Sequence, residues 1–126
     1  MRVVGIVAVL LMSMGAAHAA AKVAASGQPL ILFQASATNP DCTSMGKVLL
    51  RVTQEPQHGR VTVRSTGVFP TFPESNVRSA CNRRRVPGVQ ATYVSQRGYL
   101  GSDFVELQLL FPAGAERSVK LPIEVK

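Results

Sequence analysis

Reactive side chains are few in this sequence, and their spacing does not match a known catalytic arrangement. His58 is the one histidine outside the apolar N-terminal stretch, and no nucleophile is evident as its partner. The chain lacks the Gly-x-Ser-x-Gly, His-Glu-x-x-His and phosphate-binding glycine motifs. Glu55 and Glu74 could form the carboxylate pair of a glycosidase, but nothing in the sequence brings them within the roughly 5–10 Å that such a pair needs. We therefore expect no enzymatic activity, and no metal or cofactor.

The chain contains two cysteines, Cys42 and Cys81, which we expect to form a disulfide. An isolated pair in an exported protein is typically bonded, whereas a redox-active pair would need a Cys-x-x-Cys arrangement that this chain lacks. The bond would close a loop of about 40 residues and stabilise the fold by roughly 4 kcal/mol. It also requires the two Cα atoms to lie within about 7 Å of each other.

The N-terminal segment 1–19 has the features of a cleaved secretory signal peptide. Arg2 supplies a positive charge, residues 3–14 are almost continuously apolar, and Ala17-His18-Ala19 is a small-x-small cleavage site. The apolar run is shorter than the roughly 20 residues of a membrane-spanning helix, which argues against an uncleaved anchor. We expect one mature domain at 20–126, periplasmic or secreted, with no transmembrane segment.

Apolar and polar residues alternate along most of the mature chain, and this alternation predicts antiparallel β-strands. Val61 and Val63 are expected to face the core. Strands with one apolar face each should pack as two sheets, so the sequence predicts an all-β fold, an immunoglobulin-like antiparallel β-sandwich with one disulfide. Pro122 cannot donate a backbone hydrogen bond, so the last strand should lie at a sheet edge or contain a bulge. The predicted strands are 30–35, 47–53, 60–64, 89–95, 103–111 and 117–125.

Three short motifs in this pattern resemble a known family. The run Pro-Gln-His-Gly-Arg-Val-Thr-Val at 56–63, then Ala-Thr-Tyr at 91–93 and Gly-Tyr-Leu-Gly-Ser-Asp at 98–103, resembles the bacterial Ig-like and cadherin-like modules of exported and surface proteins. The resemblance covers 48–125 and implies a β-sandwich that serves as an interaction or structural module without catalytic residues.

The turn residues of these motifs also have a physical interpretation. Asp103 is expected to accept backbone amide hydrogens within its turn, and the Tyr99 ring is expected to lie on the edge of the core. His58 is interpreted as a turn residue. The alternative role of Asp103 as a calcium ligand would need six to eight oxygen ligands, and the nearest acidic residue in the sequence is Glu106.

The segment 66–88 shows no strand pattern and contains the candidate binding residues. Long loops inside compact domains are often functional. Two phenylalanines of this loop are each stiffened by a following proline, Pro70 or Pro73, and aromatic side chains beside arginines are typical of interfaces. We therefore expect a preformed contact surface in this loop. The alternative is that the phenylalanines cover an open end of the sandwich and the arginines are only solvated. The candidate residues are Phe69, Phe72, Arg78, Arg83, Arg84 and Arg85.

The charge balance favours an anionic partner. Fourteen Lys and Arg residues against seven Asp and Glu residues give a formal net charge of +7. An exported protein meets anionic cell-envelope components and acidic proteins before it meets DNA, and aromatic residues for base stacking are not interleaved with the basic ones, so nucleic acid is disfavoured. The predicted function is a non-catalytic binding or envelope-structural module. The alternative is a small periplasmic enzyme inhibitor or a weak hydrolase that uses a carboxylate pair.

Overall fold

The computed structural model describes residues 20–126, which form seven β-strands and one short 3-10 helix, η1, at Ser79–Arg83. The predicted signal peptide 1–19 lies outside the described residues. No helix within the described part of the chain is long and apolar enough to cross a membrane. The strands are β1 (Lys22–Ala24), β2 (Leu30–Ala35), β3 (Leu49–Gln54), β4 (Gly59–Val68), β5 (Val86–Ser95), β6 (Gly101–Leu110) and β7 (Glu116–Val125).

The strands form two sheets, as the sequence predicts. One sheet has the order β1-β7-β6-β3, and the other has the order β2-β5-β4. Neighbouring strands are antiparallel except β1 and β7, which are parallel. The three-residue β1 was not predicted, because its one buried side chain, Ala24, leaves no alternation to detect. The all-β class with two sheets is confirmed.

One hydrophobic core lies between the two sheets and follows the predicted alternation. Val105, Leu107 and Leu109 of β6 are completely buried, whereas the residues between them are partly exposed. From the opposite sheet, Ala91 and Tyr93 of β5 are also completely buried. Successive side chains of a strand point to opposite faces, so this pattern fixes which face of each sheet is inside.

The predicted loop 66–88 is shorter in the structure, because both flanking strands continue into it. Thr66 pairs with Gly88, and Val68 pairs with Val86. Gly88 looks like a turn residue in the sequence, but a Cβ there would lie 2.5 Å from a Val68 methyl carbon, so the close packing of β4 on β5 requires glycine. The true connection between β4 and β5 is 69–85.

The turn at 55–58 connects the two sheets and does not form a hairpin. β3 pairs with β6 in one sheet, and β4 pairs with β5 in the other. Consequently β4 lies at an edge, and Val63 is 36% exposed although it was predicted to be inside. On the side of β7 away from β6, β1 pairs only with residues 123–125. Pro122 therefore lies on the open part of that side, which fits the edge position predicted for it.

The connections lie at two ends of the molecule. The loop end contains the β2–β3 connection 36–48, the β4–β5 connection 69–85 and the β6–β7 turn 111–115, which meet around one depression. The turn end contains the turns 25–29, 55–58 and 96–100, which are joined by hydrogen bonds and by ring stacking. All six candidate binding residues lie in the β4–β5 connection, hence at the loop end.

Candidate functional site

The predicted disulfide is present and ties the β4–β5 connection to the β2–β3 connection. Cys42 and Cys81 are bonded, with Cα atoms 5.4 Å apart and a sequence separation of 39. Cys81 lies in η1 and is completely buried. Cys42 has a φ of 69°, in the left-handed region that few residues other than glycine adopt. The disulfide is therefore an anchor for the candidate loop.

The turn around Cys42 is held by an acidic side chain. Oδ1 of Asp41 accepts hydrogen bonds from the Thr43 hydroxyl at 2.6 Å and from the Thr43 amide at 3.1 Å. These bonds, the hydroxyl first, hold the pKa of Asp41 below its ordinary value. Because Asp41 and Thr43 lie on either side of Cys42, their hydrogen bonds fix the backbone around this cysteine.

Arg78 is a second anchor of the same loop. Its Nε donates a 2.8 Å hydrogen bond to the carbonyl oxygen of Thr38, a buried residue of the β2–β3 connection. Its backbone amide donates to Oδ1 of Asn76 at 2.8 Å. Arg78 was predicted as a ligand contact, and the structure places it in contact with the protein itself.

Asn82 provides a third anchor that the sequence did not reveal. Its Oδ1 accepts a 2.9 Å hydrogen bond from the amide of Phe72, and its Nδ2 donates a 2.9 Å hydrogen bond to the carbonyl oxygen of Phe72. The side-chain amide thus hydrogen-bonds both the N–H and the C=O of Phe72, as a residue on a neighbouring strand would. Nothing in the sequence indicates this pairing, because it depends on how η1 packs beside Phe72.

The anchored loop borders an open apolar cleft of about 370 Å³. Phe69 stands at this cleft with 53% of its surface exposed, while Phe72 is half-buried. The cation at the cleft is Arg117, an exposed residue near the start of β7. Sequence reasoning missed Arg117 because it lies far from the loop in sequence. Among the residues that line the cleft, the apolar ones with exposed or partly exposed side chains are Phe33, Ala35, Phe69, Phe72 and Phe111.

The arginine run does not line this cleft. Arg83, Arg84 and Arg85 are exposed at the end of η1 and at the start of the return to β5. The Arg85 guanidinium donates a 3.3 Å hydrogen bond to the carbonyl oxygen of Gly67 on β4. The loop therefore presents two features, an apolar cleft with Arg117 and a separate run of exposed arginines.

The motif residues of the turn end form one hydrogen-bond network around Asp103. This side chain is 9% exposed and accepts from the Tyr93 hydroxyl at 2.7 Å, and from the amides of Gln57, His58 and Phe104 at 3.0, 3.1 and 2.9 Å. Burial raises the pKa of Asp103, but these hydrogen bonds outweigh it, so the pKa lies below the ordinary value. Burial of the Tyr93 ring and, after it, the hydrogen bond to the same carboxylate raise the pKa of Tyr93.

Asp103 was expected to accept amide hydrogens within its own turn. Instead, two of its donors come from the 55–58 turn, so the carboxylate joins the two sheets. The His58 ring stacks on Tyr99, with ring centroids 4.0 Å apart. This arrangement gives the Pro-x-His-Gly turn and the Gly-Tyr-x-Gly-x-Asp turn a structural role.

The carboxylate pair considered for hydrolysis is not assembled. Glu55 precedes β4 at the turn end, and Glu74 follows β4 at the loop end. A ten-residue strand such as β4 spans about 33 Å, far beyond the roughly 10 Å limit for paired catalytic carboxylates. Among residues 20–126, no group of three His, Cys, Asp or Glu side chains is arranged to hold a metal ion.

Comparisons with known proteins add little. No protein-family model matches the chain, and no curated protein matches it. Among solved structures, the solution structure of amebosin is similar to this chain at 15% sequence identity, with a TM-score of 0.44, and the match covers 82% of this chain and 86% of that one. A likeness at this level carries no functional argument.

Proposed function

We propose that this chain is a non-catalytic, exported binding module with an immunoglobulin-like sandwich, and that its loop end binds an anionic amphiphile of the cell envelope. One observation carries the proposal: Phe69 is 53% exposed beside an apolar cleft, on a loop that is anchored to the rest of the domain. A large aromatic side chain that is half exposed to solvent beside an open apolar cleft is typical of a binding site.

Rigidity of the loop supports binding over a merely structural insertion. The Cys42–Cys81 disulfide, Arg78 and Asn82 fix the connection at separate points before any ligand arrives. A preformed site loses little conformational entropy on binding, so more of the contact energy appears as affinity. A loop that only covered the end of the sandwich would bury Phe69.

Charge supports an anionic ligand. Arg117 stands at the cleft, and Arg83, Arg84 and Arg85 are exposed on the same connection. An amphiphile can place its alkyl chain against the phenylalanines and its phosphate or carboxylate beside Arg117. The predicted signal peptide and the excess of basic residues agree with a ligand of the cell envelope.

Titration with single-chain amphiphiles tests the proposal. Dodecyl phosphate and dodecanoate, below their micelle concentrations, distinguish a phosphate from a carboxylate head group, and neutral dodecyl maltoside is the control. We expect the oxidised 20–126 domain to bind one of the anions at least about tenfold more tightly than the maltoside, a difference of roughly 1.4 kcal/mol. Equal binding of all three, or no binding, contradicts the proposal.

Variants of the loop separate contact from stability. Phe69→Ala should weaken binding and leave the melting temperature nearly unchanged, because its ring is largely exposed. Phe72→Ala should lower both affinity and stability, because its ring is half-buried. Changing Arg83, Arg84 and Arg85 together to Ala should barely change the melting temperature. If that triple variant binds as wild type does, Arg117 alone supplies the charge.

A further inference from the structure

We propose a second binding site on this molecule: the free edge of β4 accepts an acidic, extended segment of a partner protein as an additional strand. This site lies on the side of the sandwich formed by β3 and β4 and does not include the loop-end cleft. β4 is the last strand of the β2-β5-β4 sheet, so one side of it has no neighbouring strand among residues 20–126.

The hydrogen-bonding pattern shows which backbone groups this edge offers. The Gln96 amide donates to the carbonyl oxygen of His58, which identifies His58 and Gln96 as a hydrogen-bonded pair in the β4–β5 register. Bonded and non-bonded pairs alternate in an antiparallel ladder. The N–H and C=O groups of Val61, Val63 and Ser65 therefore point away from β5, towards the open side.

β4 differs from the other long edge strands because its pairing register is regular along its whole length. The β2–β5 register shifts between Ile31 and Phe33, and the β3–β6 register shifts between Val52 and Gln54. The free part of β7 ends at Pro122. By contrast, β4 pairs with β5 over ten residues without a shift. Bulges, prolines and charged side chains are what normally protect an edge from strand addition. β4 has no bulge and no proline, and its charged side chains are Arg60 and Arg64.

The inner face of β4 is incompletely covered. Val63 is 36% exposed, whereas Ala91, its partner on β5, is completely buried. Val61 is half-buried beside Tyr93, which is completely buried. Side-chain burial therefore decreases from β5 to the middle of β4, although Val61 still packs against the core. An added strand would place alternate apolar side chains beside these two valines.

The outer face of β4 determines the charge of the partner. Arg60 and Arg64 are exposed and lie on the same face as Thr62, Gln90 and Thr92. Neither β3 nor β4 contains an Asp or Glu residue. A strand with Glu or Asp at alternate positions would pair with the two arginines. A second copy of this chain would instead bring arginines against arginines, and like charges on adjacent strands are destabilising.

Two capped peptides of equal length, one alternating Glu and Val and the other alternating Lys and Val, test the site. We expect the acidic peptide to bind the oxidised 20–126 domain at least about tenfold more tightly. It should also slow amide hydrogen exchange at Val61, Val63 and Ser65. The double charge reversal Arg60→Glu with Arg64→Glu should invert the preference between the peptides, whereas the control reversal Arg117→Glu should not.

A backbone variant tests strand pairing separately from charge. Val63→Pro removes an edge-facing N–H and no ladder bond, so it should abolish protection by the acidic peptide. Val63→Ala keeps that N–H and should retain binding. If Val63→Pro disrupts the fold, the charge-reversal variants still decide the question.

Several outcomes overturn the inference. Failure of the acidic peptide to bind, exchange protection at 69–85 instead of β4, or unchanged preference in the charge-reversal variant would each do so. Dimerisation of the domain through Val63 would make a second copy the occupant and would also refute it. Because amphiphile binding at the loop end uses other residues, loss of one activity leaves the other intact, and the two proposals fail separately.

Discussion

The Tyr93 hydroxyl donates a 2.7 Å hydrogen bond to Oδ2 of Asp103, which joins the middle strand of one sheet to the start of β6 in the other. Both side chains are buried. The bond crosses the core at the turn end, where the carboxylate also accepts the amides of Gln57 and His58. This pair therefore determines how the two sheets meet at that end.

Replacing Asp103 should cost much more stability than replacing Tyr93 by Phe. Asp103→Ala leaves several buried donors without an acceptor, so we expect a loss of about 3 kcal/mol or more in the free energy of unfolding. Tyr93→Phe removes one donor and leaves the carboxylate with its backbone amides, so we expect a loss of about 1–2 kcal/mol. Urea denaturation measures both. Equal losses in the two variants would show that the carboxylate is not the centre of the network.

Acid should destabilise the domain through its carboxylates. The pKa of Asp103 in the folded state lies below its ordinary value, so the charged form is favoured by folding. Its contribution is complete above the unfolded-state pKa and is lost as the pH falls through the folded-state pKa. Asp103→Asn should flatten the decrease in melting temperature below about pH 4. Asp41→Asn removes a second carboxyl whose pKa is lowered, so it should also flatten the decrease. A decrease as steep in Asp103→Asn as in wild type would contradict the prediction.

The disulfide should account for a large part of the net stability. Changing both Cys42 and Cys81 to Ser, or reducing the bond, should lower the free energy of unfolding by about 2–5 kcal/mol. Amide exchange at 69–85 should also become faster, because η1 loses its covalent link to the β2–β3 connection. A melting temperature that is unchanged on reduction would contradict this prediction.

Asn82 should control the order of the loop. Asn82→Ala removes both hydrogen bonds to Phe72, so we expect a stability loss of about 1–3 kcal/mol and faster amide exchange at Phe72. Asn82→Asp keeps the acceptor but places a carboxylate oxygen against the Phe72 carbonyl oxygen, so its effect should be at least as large. Across these Asn82 variants, the affinity for the amphiphile should fall as amide exchange at Phe72 becomes faster. Wild-type exchange at Phe72 in Asn82→Ala would show that the disulfide and Arg78 suffice.

The sequence predicted what depends on local pattern. Period-two alternation identified β6 and β7, and the isolated cysteine pair indicated the disulfide. Alternation defines the faces of a strand but not its neighbours, so it could not show that β3 and β4 belong to different sheets.

The rest of the site depends on contacts between distant residues. Asn82 pairs with the backbone of Phe72, and Arg117 reaches the cleft from another sheet. Neither of these two contacts can be predicted from the spacing of residues in the sequence. Phe69 and Phe72 were identified because each precedes a proline in a long connection, which is a local feature.

Mapping of bound dodecyl phosphate by nuclear magnetic resonance tests whether the loop-end cleft is the binding site. With 15N-labelled 20–126 domain, we expect the largest amide shifts at 33–36, 68–72, Leu109, Phe111 and Arg117, the residues that line the cleft. Phe69→Ala should reduce these shifts at equal ligand concentration. Shifts confined to the turn end around Asp103, or shifts spread evenly over all basic residues, would contradict this expectation.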